Sequence, residues 1–142
     1  MGAPAAGPIS RPSPLRDMSG TKLDGAGTQK MKTLDEAVLV VQRLHGLVER
    51  MAVEVKAEKG AGVYPQQLKR LATTLQGQLK GQFGLIADQV SAFILSTTRG
   101  GGGDQAKIRS MREGVAQLKT ALELAGNKVK DQHAVPIEVS PD

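Results

Sequence analysis

Gly77-Gln78-Leu79-Lys80-Gly81-Gln82-Phe83-Gly84 decides how this chain folds. The stretch lies inside what reads as the longest helix, residues 65–98. A glycine inside a helix costs about 1 kcal/mol relative to alanine. Three of them so close together cost about 3 kcal/mol, a large share of a small domain's stability. Either the helix breaks here, or a helix face without side chains has a use.

The apolar residues around the stretch run Leu68, Ala72, Leu75, Leu79, Phe83, Ile86, Val90 and Phe93. They alternate steps of three and four, with one extra step of four at Leu79 to Phe83. Such an insertion locally unwinds a coiled coil. Tyr64-Pro65 opens the segment, proline being harmless in a first helical turn. Arg99 and Gly100 to Gly103 close it. On a straight helix Gly77, Gly81 and Gly84 fall roughly 140–160° from the seam at 100° per residue. Asp88 and Ser91 continue that line. The glycines then form a back stripe, a candidate contact surface for a partner helix.

Two further helices flank this one. Thr33 as N-cap and Glu36 three residues later form a capping box, which predicts a helix over about 34–59. Its seam is Ala37, Val41, Leu44, Val48, Met51 and Val55, widened by Val40 and Leu47. Gly60-Ala61-Gly62 is read as its stop. Leu39, Gly46 and Val53 recur every seven residues away from that seam and make a second candidate contact line. Asp104 as N-cap opens a third helix over about 104–131. Its seam is Ile108, Met111, Val115, Leu118, Leu122, Ala125 and Val129, with Gly114 on the same apolar face.

At 1.5 Å per residue, helices of about 26, 34 and 28 residues span roughly 39, 51 and 42 Å. Short connections make neighbours antiparallel. The expected fold is therefore all-α: an elongated antiparallel three-helix bundle over residues 33–132. If the second helix breaks near Gly77–Gly84, a compact four-helix arrangement results instead. Residues 1–32, rich in Pro, Gly, Ala and Ser, are expected to be a disordered tail, since they bury too little apolar area to offset ordering entropy. Within them Ile9, Arg11, Pro12, Pro14, Leu15 and Arg16 form a candidate docking peptide. Residues 133–142 are expected to be a flexible tail. Val135 to Val139 alternates in extended style and suits addition to a partner's sheet edge.

The chain has 142 residues, two Phe, one Tyr and no Trp, so its core must be aliphatic. It has no cysteine, which rules out disulfides and thiolate metal sites. No apolar run approaches the ~18 residues of a membrane span, and no secretory leader is expected. The expected location is cytoplasmic. The net charge of +5 is spread without a basic run. Lys69, Arg70, Lys80, Arg99, Arg109 and Arg112 are the candidate polyanion contacts. Aromatic stacking platforms are nearly absent, so nucleic-acid binding, weak and non-specific, is the alternative reading.

Chemistry finds little support. There is no Walker loop, no nucleophile elbow and no cysteine. His45 and His133 are the two histidines, far apart and without ligand-like spacing. No metal, no cofactor and no catalytic residue are expected. A bundle with a histidine on a long helix resembles histidine phosphotransfer domains in architecture. His45, however, precedes Gly46-Leu47-Val48-Glu49, without the lysine that usually follows. The leading expectation is a non-catalytic adaptor, scaffold or assembly subunit, a homo-oligomer or partner of other proteins.

Overall fold

A computed structural model of the protein describes residues 22–98 and 103–135. The elements in order are β1 (Lys22–Leu23), α1 (Gly25–Lys56), α2 (Tyr64–Leu79), α3 (Gly84–Thr98), α4 (Gly103–His133) and β2 (Ala134–Val135). The described residues are almost wholly helical, and they form four helices rather than three. The segment expected as one helix over 65–98 divides at Lys80–Phe83, inside the glycine stretch. Gln76 Nε2 donates to Ser91 Oγ across the division. In an unbroken helix residues fifteen apart would be about 22 Å distant. Hence α2 and α3 fold back on one another.

Each helix packs against two others: α1 on α4 and α2, and α3 on α2 and α4. The shared core is aliphatic. Leu44, Val48 and Met51 of α1 meet Leu68, Leu75 and Leu79 of α2, Val90 and Phe93 of α3, and Ile108, Met111 and Leu118 of α4, all buried. The expected seams are the buried stripes, with Phe83, Val55 and Ala125 half-buried at their margins. Gly114 lies beneath Phe93. A Cβ there would stand 2.8 Å from the ring's Cδ1, so the absent side chain makes room for the aromatic ring.

Several expected boundaries move. The first helix begins at Gly25, not at Thr33. Asp24 is its N-cap, accepting from the Gly27 amide at 2.7 Å. Thr33 sits inside α1 and donates its hydroxyl to the Gln29 carbonyl at 3.2 Å. Residues 22–32 are therefore ordered structure rather than tail, while residues 1–21 lie outside the described residues. The first helix ends at Lys56, before the glycines read as its stop. Lys59 N–H donates to Glu54 O and Glu58 N–H to Val55 O, both at 2.9 Å. These are the two bonds of a Schellman motif, with Glu58 as the left-handed residue at φ 64°. Asp104 lies in the first turn of α4, one residue after the helix start, rather than at a cap.

The C-terminal residues 134–135 pair in antiparallel register with β1: Lys22 with Val135, and Leu23 with Ala134. The extended pattern seen after His133 thus begins by pairing within the chain. The two-residue ribbon closes the end of the α1–α4 pair. At that end α1 begins and α4 finishes, so the two helices run antiparallel.

Candidate interaction surface

The two stripes fare differently. Gly77 lies in the last turn of α2, Gly81 in the connection, and Gly84 at the first position of α3, with Asp88 one turn further on. All four are exposed. Because the helix divides, they gather at the tip of the α2–α3 hairpin and form no continuous stripe. Nothing lies within 4 Å of where a Cβ would stand at Gly77, Gly81 or Gly84. The neighbouring Leu85 is 82% exposed, the most open large apolar residue described.

The line on α1 is intact. Leu39 is 59% exposed and Val53 64%, with Gly46 between them facing open space. At 1.5 Å per residue the three positions span about 21 Å of one straight helix. Leu39 also lines an open groove at the ribbon end with Leu23, Met31, Asp35 and Glu36. Singly exposed apolar residues are ordinary. Here two share a line with a glycine between them, on the face turned away from the core.

The basic residues do not converge. Lys69, Arg70 and Lys80 are exposed on or beside α2, which carries no acidic residue. Arg109 is exposed on α4. Arg112 is engaged elsewhere: Nε and Nη2 each donate to a carboxylate oxygen of Glu49 at 2.8 Å, a bidentate pair joining α4 to α1. This pair holds the Glu49 carboxyl below its ordinary range and raises the Arg112 guanidinium. Arg112 is thereby withdrawn from the polyanion set. Arg99 and the peptide Ile9–Arg16 lie outside the described residues. His45 is exposed near the middle of α1.

One cluster was missed. Asp24 N–H donates to the His133 carbonyl at 3.0 Å. The Asp24 carboxylate also faces His133 Nδ1 at 3.1 and 3.2 Å, and Lys30 Nζ stands 3.1 Å from His133 Nε2. An ammonium only donates, so Nε2 accepts from Lys30 and Nδ1–H donates to Asp24. The Gly27 amide first, and His133 second, hold the Asp24 carboxyl below its ordinary value. A Cβ on Gly27 would overlap the Cβ of His133; this glycine is demanded by close approach. The row orders amine, imidazole and carboxylate like a relay for a nucleophile, but its outer member donates to the ring and has no lone pair to offer. The cluster joins the two ends of the α1–α4 pair. Asp24 ahead of a helical segment was a readable cap signal; its partner, 109 residues away, gave none.

Among the described residues no group of three or more His, Asp or Glu is placed to hold a metal ion. No helix among them is long and apolar enough to cross a membrane. Compared with known protein families, curated proteins and solved structures, the chain matches none.

Proposed function

We propose that the protein is a non-catalytic helical bundle that works as a scaffold or assembly subunit, through contacts with copies of itself or with other proteins in the cytoplasm. The observation that carries this reading is the outer line of α1. Leu39 and Val53 stand more than half exposed at fourteen residues' separation, and Gly46 between them leaves the backbone open. A helix laid along this line would cover two apolar side chains and approach closely at the glycine. No cofactor enters this function.

Light scattering over a range of concentrations tests the reading. The protein is expected to gain mass with concentration, and Leu39→Lys with Val53→Lys is expected to abolish the gain while leaving the helical circular dichroism unchanged. Equal masses for both proteins at every concentration would reject the α1 line. The nucleic-acid alternative keeps one observation in its favour, the acid-free exposed side of α2 with Lys69, Arg70 and Lys80. Its binding would fall steeply with salt, and a DNA titration showing no binding at low salt would end it.

A further inference from the structure

The break between α2 and α3 differs in kind from the other helix ends. Glu58, Gly60 and Gly62 before α2, and Gly103 at the start of α4, all have positive φ, from 57° to 78°. A left-handed residue cannot be absorbed into a longer right-handed helix without changing conformation. No residue from Leu79 to Gly84 has positive φ. Lys80 is helical at φ −56° and ψ −39°. Lys80 N–H donates to Gln76 O at 2.9 Å, Phe83 N–H to Leu79 O at 2.7 Å and Ala87 N–H to Phe83 O at 2.9 Å, so the four-residue bonding step persists on both sides of the break. The apolar seam Leu75, Leu79, Phe83, Ile86 and Val90 also passes through it.

From this we infer that Lys80–Phe83 is a hinge, and that a second copy of this chain is the partner for which it is built, through exchange of the halves before and after it. Consider what the hinge separates. α1·α2 packing lies within the first half and α3·α4 packing within the second. The contacts that join the halves are α1·α4 packing, α2·α3 packing, the β1–β2 ribbon, the Glu49–Arg112 pair, the Asp24–His133 contacts and the Gln76–Ser91 bond. When the hinge straightens, residues 64–98 become one helix and all of these contacts re-form between two copies. The complementarity needed is already present, because each half carries the surface that the other half fits. The Gln76–Ser91 contact places the crossing of two such straight helices near residues 83–84, inside the hinge. This inference rests on the self-association reading above and adds, beside its surface contact on α1, an exchange of halves that forms on refolding.

The test uses the absence of native cysteine. Leu23 and Ala134 are directly paired Cα partners, and such pairs lie about 4.5–5.5 Å apart, within disulfide reach. Full-length Leu23→Cys/Ala134→Cys is refolded from denaturant at low and high concentration, oxidised, sized by light scattering and run on a non-reducing denaturing gel. The same pair is built on Gly81→Ala/Gly84→Ala. Alanine favours a continuous helix about fivefold over glycine at a helix-interior position. With Gly81 gaining a helical environment in both copies, the dimer association constant should rise about 30-fold. The expected result is a dimer that remains covalently linked on the gel and is enriched in the alanine variant. A dimer in solution that runs as monomer on the gel would overturn the exchange while leaving surface association standing. Monomer in both assays at every concentration would overturn both.

Discussion

Two glycine-rich connections look alike in the sequence and behave differently in the fold. Before α2, Glu58, Gly60 and Gly62 all take left-handed backbone angles. Between α2 and α3, Gly81 and Gly84 take none, and a side chain at either would meet open space. The first connection is fixed by backbone geometry, and glycine supplies it cheaply. The second is fixed by what α2 and α3 pack against, and its glycines only weaken the helix that would otherwise run through. One turn is local in origin and the other is tertiary.

The largest expected effect tests the tertiary half of that contrast. Leu79 is fully buried at the mouth of the second connection. Leu79→Ala should cost about 2–5 kcal/mol, the range for large-to-small changes in a packed core, measured by urea unfolding. A cost under about 1 kcal/mol would show that the glycines, not the core, set the turn. Next in size are Gly60→Ala and Gly62→Ala. Each should destabilise by about 1–2 kcal/mol, the penalty of a Cβ in left-handed backbone. The converse change, Glu58→Gly, should stabilise by up to about 1 kcal/mol, since it relieves the same penalty but gives the unfolded chain more freedom. Gly77→Ala should also stabilise by about 1 kcal/mol, because Gly77 is helical and nothing crowds its Cβ position. A loss of stability on Gly77→Ala would mean that the exposed glycine is in contact with something the monomer does not contain.

The contrast also explains what was legible. Periodicity in threes and fours located the stripes over residues 37–55, 68–93 and 108–129, and the buried residues from Ala37 to Met51, Leu68 to Leu79 and Ile108 to Leu122 follow it, whereas the start of the α1 stripe at Gly27 and Leu34 lay outside it. Pattern of this kind reports which residues are apolar and how they are spaced, and both are written locally. It does not report whether a helix survives three glycines, because that depends on whether α3 gains more by folding onto α2 and α4 than by extending. The back stripe of Gly77, Gly81 and Gly84 exists only on a straight helix, and the division at Lys80–Phe83 removes it. The α1 stripe of Leu39, Gly46 and Val53 survived because α1 is continuous. At the N-terminal end, Gly25 and Gly27 fall within the expected disordered tail, and the close approach of His133 explains why the residue at position 27 is glycine.

The smallest effect concerns the end that sequence periodicity missed. Asp24 and Glu49 both have carboxyl groups held below their ordinary range, Asp24 chiefly by the Gly27 amide and then by His133, Glu49 chiefly by Arg112. A depressed carboxyl adds stability that is complete above the unfolded pKa of about 4 and is lost as pH falls through the folded value. Both groups are substantially exposed, so the loss should be modest and should shrink with salt. Protection of the Gly27 and Asp24 amides against exchange, taken relative to the intrinsic rate at each pH, should fall below about pH 4 before protection in the core does, as the ribbon end frays first. Asp24→Asn separates the two causes. Asparagine still caps a helix by accepting from the amide two or three residues on, but it carries no charge toward His133 and Lys30. The variant should keep Gly27 protected at neutral pH and lose the acid-dependent fall in protection. If Asp24→Asn instead frays the end at neutral pH as fully as Asp24→Ala, the charge that the Asp24 carboxylate presents to the His133–Lys30 pair, rather than the cap, is what holds the two ends of the α1–α4 pair together.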